Sequence, residues 1–457
     1  MHASGTNASL NVSENKAITM PPATPIRITM TGSTKLVSAS MRSLLSLAML
    51  SALFVIVIAV AVNPAQAQTG SVLYNFCYTG YCTDGMHPES RLTPDGAGNL
   101  YGTTTNGGCA AGGCGDGVVF ELSPNGIENG GETVLYTFCS APNCTDGANP
   151  TYSYVIFDSA GNLYGTTKDG GAYGYGVVFE LSSVAGAWTE AVLYSFTGGA
   201  DGSFPVNGLV LDAAGNLYGT VTSTQGGSEG GGVFELSPSG SGGWTEQLIY
   251  NVSGGPGNYS GLTIDAHGNI FGATASTVFE LSQKVGADWN PTVIYTFSVN
   301  GKYGYLPENA PVIDKAGNLF GTTVNGGAKN AGTVYELIPS KKGKWKEKVL
   351  YSFKGKQDSG NPWGGVVLDA AGNIYGTTTF ADNACHCSGT VFELVATAGK
   401  GPYKEKVLWD FNRSSSGYNP LGSLLLDSAG NLYGTAEYGG ADAYGGPDSG
   451  VIFEVTP

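Results

Sequence analysis

The sequence predicts an all-β chain, a seven-bladed β-propeller of four-stranded blades, and three observations lead there. First, a nine-residue phrase recurs seven times, clearest as Asp212-Ala-Ala-Gly215-Asn216-Leu217-Tyr218-Gly219-Thr220. Its copies start at Asp95, Asp158, Asp212, Asp265, Asp314, Asp369 and Asp427, spaced 49 to 63 residues apart. Second, three further phrases recur in phase with it, so each unit supplies four short strands separated by turn signals, the pattern of a propeller blade. Third, the chain has 72 Gly and 25 Tyr but only 12% charged residues. Glycine in turns and aromatics in strands describe many hairpins; a disordered chain would lack the aromatics.

The nine-residue phrase reads as strand, tight turn, strand. Asp at the first turn position accepts hydrogen bonds from the turn backbone. The Gly three residues later is expected to take a positive φ, which a side chain would resist. Before the Asp comes a strand that opens on Pro88, Pro150, Pro205, Pro256, Pro307, Pro362 or Pro420. After it comes Val-Phe-Glu-Leu, ending at Leu122, Leu181, Leu236, Leu281, Leu337, Leu394 and, as Ile-Phe-Glu-Val, at Val455. The fourth strand is Val-Leu-Tyr-Ser-Phe and its variants, at 72–76, 134–138, 192–196, 248–252, 293–297, 349–353 and 407–411.

The phase of these phrases predicts how the ring closes. With the Pro strand innermost, the seventh unit ends on Val451-Ile452-Phe453-Glu454-Val455 and lacks a fourth strand. The missing strand stands at the other end of the repeats, at residues 71–76. Pairing the two would remove two open sheet edges. Burial of Val72, Leu73, Tyr74 and Phe76, at roughly 1.5–3 kcal/mol each, would lock the ring. Glu121, Glu180, Glu235, Glu280, Glu336, Glu393 and Glu454 recur in an otherwise apolar strand. Seven equivalent acids point to a structural role, with Thr, Tyr hydroxyls or backbone amides as donors.

Residues 1–41 are polar and without hydrophobic pattern, a disordered leader or a stretch ahead of the true start at Met30 or Met41. Arg42 then precedes an apolar run from Leu44 to Val62 that ends in Ala65-Gln66-Ala67. Residues 42–67 therefore read as a signal peptide cleaved after Ala67 or, if 44–62 is retained, as an N-terminal membrane anchor. Either way residues 68–457 lie outside the cytoplasm, extracellular or at the surface of a bacterial cell.

The net charge is −15; residues 1–67 contribute +3, leaving −18 on the repeats. Such a surface repels phosphate backbones and excludes nucleic acid as a partner. The eight cysteines fall in close pairs between strands: Cys77 and Cys82, Cys109 and Cys114, Cys139 and Cys144, Cys385 and Cys387. An even count in an exported chain reads as disulfides, with pairing between adjacent loops left open. No metal set and no cofactor motif is expected.

Loops that enter the Pro strands and loops that follow Gly-Thr-Thr should share one mouth of the ring. They carry Tyr78, Tyr81, Tyr173, Tyr175, Tyr259, Tyr303, Tyr305, Trp363, Tyr418, Tyr438 and Tyr444 among short polar residues. Flat rings beside small acceptors suit sugars or extended peptides. No nucleophile, zinc-protease or P-loop motif is present, so no catalytic residue is assigned. A monomeric, non-catalytic propeller binding a glycan or a protein at this mouth is the expectation. Two alternatives stand beside it. One is a hydrolase or lyase acting on polysaccharide through loop acids such as Asp84, Asp116, Asp169, Asp442 or Asp448. The other is a structural envelope or matrix component.

The run from Asp158 through Leu181, with its Gly-Asn-Leu-Tyr-Gly-Thr-Thr, Gly-Gly and Gly-Val-Val-Phe-Glu-Leu, resembles the GloVer-type tandem repeat family of bacterial exported proteins. The resemblance covers about residues 71–457, and the strand order is similar to that of NHL-type propellers. It implies an exported repeat protein, often tethered by a C-terminal anchor domain, with no activity to carry over. This sequence stops at Pro457, directly after its last repeat. Secretion or the 44–62 anchor is expected to replace such a tether.

Overall fold

Each turn Asp organises its hairpin in the same way in all seven units. In the first, Asp95 Oδ1 accepts from the amides of Ala97 (2.8 Å) and Asn99 (2.9 Å), while Oδ2 accepts from Asn99 Nδ2 at 2.8 Å. Gly98 has φ 90°, and its six counterparts lie between 81° and 95°. The carboxylate thus replaces a full set of turn donors, and the hairpin it sets joins the two inner strands of a blade. The computed structural model describes residues 68–77, 80–108, 115–124, 131–224, 230–240, 242–252, 260–283, 288–298, 304–340, 343–355, 358–379, 388–397, 402–412, 415–440 and 449–457. Residues 1–67, with the leader and signal or anchor segment, lie outside these. Among the described residues no helix is long and apolar enough to cross a membrane.

These hairpins build seven four-stranded antiparallel sheets arranged as the blades of a ring. Blade 1 runs outward through Thr93–Pro94, Leu100–Thr104, Val118–Leu122 and Glu132–Thr137. Blade 7 has three strands of its own, and its outermost strand is Thr69–Asn75, paired antiparallel with Val451–Thr456. The closure expected from the repeat phase is the one observed. Phe76 is fully buried and Leu73 nearly so, while Val72 and Tyr74 are half-buried.

Packing between blades explains the invariant letters of the repeat. In blade 1, Gly102 pairs with Phe120. A β-carbon on that glycine would collide with the Phe120 ring, and the same holds in every blade, with Tyr335 in place of Phe in blade 5. The glycine lets the ring lie across the strand. There it meets an aromatic from the outer strand of the preceding blade: Phe76 on Phe120, Phe138 on Phe179, Phe196 on Phe234, Phe353 on Phe392 and Phe411 on Phe453, all edge-to-face at 5.0–5.2 Å. Such pairs add about 0.5–1.5 kcal/mol beyond area burial. The following Thr ties the blades nearer the axis. Thr166 Oγ1 donates to the Asn207 carbonyl (2.8 Å), Thr322 to Gly364 (3.0 Å) and Thr435 to Ser90 (2.8 Å), each in the next blade.

The repeated strand Glu finds its donor in the neighbouring tyrosine. Tyr375 hydroxyl donates to Glu393 at 3.2 Å and to Asp369 at 3.1 Å; Tyr433 bridges Glu454 and Asp427 likewise. Trp289 Nε1 also donates to Glu235 (2.9 Å), and Lys348 pairs with Glu336 at 3.3 Å. Most of these acids are half-buried rather than fully enclosed; only Glu393 is buried.

Outside this layer lies a second acidic row. The outer-strand tyrosines Tyr74, Tyr136, Tyr194 and Tyr351 donate to Asp84, Asp146, Asp201 and Asp358 at 2.8–3.0 Å. Facing these Asp residues from the next blade are Glu132, Glu190, Glu246 and Glu405. One oxygen of each of these glutamates is buried without a hydrogen-bond partner.

Candidate functional site

The segments just after each blade's proline begin the innermost strands, so their side chains surround the ring axis. Six blades contribute to a cavity of about 400 Å³ there: Glu89, Ser90 and Arg91 from blade 1, Tyr152 and Tyr154 from blade 2, Asn207 from blade 3, Glu308 and Asn309 from blade 5, Trp363 from blade 6, and Leu421, Gly422 and Ser423 from blade 7. The two expected loop families pair with each other. Backbone bridges join Met86 to Asn106, Ala148 to Asp169, Tyr305 to Asn325 and Tyr418 to Tyr438.

Carboxyls dominate the polar chemistry. Glu89 accepts from Thr105 Oγ1 at 2.9 Å and shares a hydrogen bond with the Glu437 carboxyl. Burial first, and the Glu437 charge second, push Glu89 up to about 7. A second carboxylate this close makes ionisation of Glu89 costly, so Glu89 holds its proton into this range. Glu437 also accepts from Asn419 Nδ2 and from the Tyr438 hydroxyl. Glu308 is pushed up to about 7 by burial alone. Among the described residues no cation stands within ion-pairing distance of Glu89 or Glu308. Arg91 instead lies 3.9 Å over the Tyr154 ring, a cation–π contact.

Of the aromatics expected at the mouth, Trp363 lines the cavity. Tyr418 and Tyr438 stack at 5.2 Å, with His87 edge-on to Tyr438 at 5.1 Å. Tyr305 pairs with Asn325 through a backbone bridge. Tyr81 and Tyr173 are 71% and 61% exposed and do not line the cavity, and Tyr175 packs on Phe204 at 5.7 Å. Tyr78, Tyr259, Tyr303 and Tyr444 lie outside the described residues. The acids weighed for catalysis are placed elsewhere: Asp84 receives Tyr74, and neither Asp116 nor Asp169 lines the cavity. Asp442 and Asp448 lie outside the described residues.

The sequence reading missed Glu89, Tyr152, Tyr154, Asn207, Glu308 and Glu437. A signal for most of them was present: they stand one to four residues after the recurrent proline, where the blades differ most from one another. Cys77–Cys82 and Cys139–Cys144 are disulfides, as their spacing suggested. Asp116 approaches the second of these, but sulfurs tied in a disulfide are not free ligands. Cys109, Cys114, Cys385 and Cys387 lie outside the described residues.

A model of the Gloeobacter/Verrucomicrobia repeat matches residues 110–284 and 274–457. No functionally curated protein matches in sequence. Among solved structures, the extracellular domain of a one-component system from B. thetaiotaomicron is similar over 83% of this chain and 39% of that one, at 12% identity and TM-score 0.49. The chain thus spans well under half of that protein's length. The GH93 α-L-arabinofuranosidase of Fusarium graminearum is similar over 85% and 98% of the two chains, at 12% identity and TM-score 0.43. The Dos1 propeller is similar over 80% and 82%, at 12% identity and TM-score 0.44.

Proposed function

Given that the chain belongs to the Gloeobacter/Verrucomicrobia repeat family, we propose that it is an exported, non-catalytic propeller that binds a glycan in its axial cavity. One observation carries this reading: aromatic side chains (Trp363, Tyr152, Tyr154) and small polar groups (Asn207, Asn309, Ser423) converge on one cavity of about 400 Å³. That size accommodates one or two sugar rings and falls in the small-ligand range. It is too narrow for the broad contact a folded protein partner needs. Stacking supplies area, and amides, hydroxyls and carboxyls orient the sugar hydroxyls.

The two disulfides support passage through an oxidising compartment. The alternative of a two-carboxylate glycosidase gains little from Glu89 and Glu437. They are hydrogen-bonded to each other, whereas such enzymes hold their carboxyls roughly 5–10 Å apart to flank a glycosidic bond.

The test is a glycan array followed by calorimetry on the best binder. Trp363→Ala should weaken binding at least tenfold, while Tyr173→Ala, on an exposed loop outside the cavity, should leave it unchanged. An array without binders, or affinity that survives Trp363→Ala, rejects this assignment. Release of shorter sugars from a bound oligosaccharide would favour the hydrolase or lyase instead.

A further inference from the structure

Five of the seven blade interfaces are plugged at the turn face of the ring by an aromatic that opens an outer strand. Trp188 packs against the cluster that holds Tyr101 of the preceding blade, Trp244 against that of Tyr164, Trp345 against that of Phe271 and Tyr403 against that of Phe320, while Trp289 meets Tyr218 edge-to-face at 5.6 Å. The Trp188 seat is completed by Leu135, Phe157, Leu163 and Leu181. At the Trp289 seat the indole N–H also donates to the strand acid Glu235, at 2.9 Å.

The seam between blades 7 and 1 has the same seat and, among the described residues, no plug. Its walls are Leu73, Pro94, Leu100, Leu122 and Tyr433, the repeat equivalents of Leu135, Phe157, Leu163, Leu181 and Tyr101, and they enclose a cavity of about 260 Å³. Glu454, the equivalent of Glu235, lines it. Trp188 stands two residues before the outer-strand Glu190; in the sequence the corresponding residue, two before Glu132, is Gly130, which lies outside the described residues and carries no side chain. Nor has this chain an indole to spare. Of its six tryptophans four fill seats, Trp363 lines the axial cavity and Trp409, in blade 6, packs against the ring-closing blade.

We propose that this seam pocket binds a tryptophan side chain presented by another polypeptide, the indole taking the seat that Trp188 and its repeats fill elsewhere and its N–H donating to Glu454. The carboxylates of Asp427 and Glu454 on its wall repel an anionic indole and favour the neutral side chain. The pocket lies beside the turn residues Gly98 and Asp427, at the opposite end of the inner strands from the axial mouth. A partner held there leaves the mouth open, so the two sites stand or fall separately.

The experiment titrates the whole protein with N-acetyltryptophanamide, read by calorimetry and by chemical-shift change. N-acetyl-leucinamide, the N1-methylated tryptophan amide and indole-3-acetate serve as comparisons. The tryptophan amide should bind at least tenfold tighter than each comparison. Glu454→Gln should weaken it about tenfold. Gly130→Trp should abolish binding and raise the melting temperature, because the chain then fills its own seat. If that variant fails to fold, Glu454→Gln and the N1-methyl comparison still decide. Equal binding of leucine and tryptophan amides, a preference for the anionic indole, binding untouched by both substitutions, or no binding would each overturn the proposal.

Discussion

Gly70, on the strand that closes the ring, lies against the indole of Trp409 in blade 6, so closely that a β-carbon on residue 70 would overlap the ring. The repeat shows what this pair replaces. At five other interfaces the position of Trp409 is a Tyr and that of Gly70 a Glu: Tyr74 with Glu132, Tyr136 with Glu190, Tyr194 with Glu246, Tyr295 with Glu347 and Tyr351 with Glu405. Gly70 is small because its partner is large. Gly70→Ala should therefore destabilise the ring by about 1–3 kcal/mol, the usual cost of overpacking. The double variant Gly70→Glu with Trp409→Tyr rebuilds the pair used elsewhere and should recover most of the loss. Denaturant unfolding of both measures the coupling, and simple additivity would show that the two residues do not act as a pair.

The outer acidic row sets a pH dependence of opposite sign to ordinary acid unfolding. Burial first, and the facing Asp charge second, push Glu132 up to about 8 and Glu190 and Glu246 up to about 7; burial alone does the same to Glu347. A carboxyl that binds protons more tightly folded than unfolded adds stability that is complete below its ordinary range near 4.5 and is lost as pH rises through the folded value. A tenfold change in proton affinity is worth about 1.4 kcal/mol, so rises of this size would amount to roughly 3–5 kcal/mol unscreened, and solvent screening of these half-buried groups cuts that to about 1 kcal/mol each. The turn acids act the other way. Burial opposes their ionisation, but amide and Asn donors outweigh it and hold Asp95, Asp158 and Asp265 below the usual range. Stability should thus peak near pH 5 and fall toward pH 8. Glu132→Gln combined with Glu190→Gln should flatten the alkaline side of a melting profile taken from pH 4 to 9.

What could be read in the sequence was whatever repeats. Seven copies of Asp-x-x-Gly-Asn fixed the hairpins because the Asp carboxylate and the left-handed Gly satisfy the turn locally. The phase of the copies placed 71–76 beside 451–455 before any contact was known. The cavity was less legible for the converse reason. Glu89, Tyr152, Glu308 and Trp363 line it from related positions in different blades, yet the residue after the proline is Glu in blades 1 and 5 and Thr, Val, Gly, Trp or Leu in the others, so no period announces them. The expectation drew instead on loop tyrosines, and Tyr81 and Tyr173 stay exposed and off the cavity lining because a loop's composition says nothing of its direction. Partners of the strand Glu could not be read either. They depend on register, which puts Tyr101 opposite Glu121.

Closing loops as short as those of Cys77–Cys82 and Cys139–Cys144 is worth about 2 kcal/mol each in the chain-entropy model. Neither bridge lies within a sheet, and the Asp146 turn beside the second is held independently by Tyr136, the Ser140 amide and the Ser140 hydroxyl. Cys139→Ser with Cys144→Ser should lower stability by about that amount and leave a cooperative transition and unchanged far-ultraviolet dichroism. Loss of the folded baseline in this variant would mean that the loop carries the blade.

The proton that Glu89 holds beside Glu437 should appear in binding. Around that pair stand the Thr105 hydroxyl, the Tyr152 amide, the Tyr438 hydroxyl on Glu437, and His87 against the Tyr438 ring. Glu308 and Arg91 face the same cavity. Below about pH 7 Glu89 keeps its proton and its hydrogen bond to Glu437. Above that value the freed carboxylate is a stronger acceptor for sugar hydroxyls, since hydrogen bonds to a charged group are worth roughly 1.5–3 kcal/mol against about 1 for a neutral one. Affinity for a neutral glycan should therefore rise several-fold between pH 6 and 8, and Glu89→Gln should remove the step while keeping the low-pH affinity. Glu308 titrates in the same range, so Glu308→Gln is the necessary comparison. A step that persists in Glu89→Gln and vanishes in Glu308→Gln would move the acceptor role to blade 5.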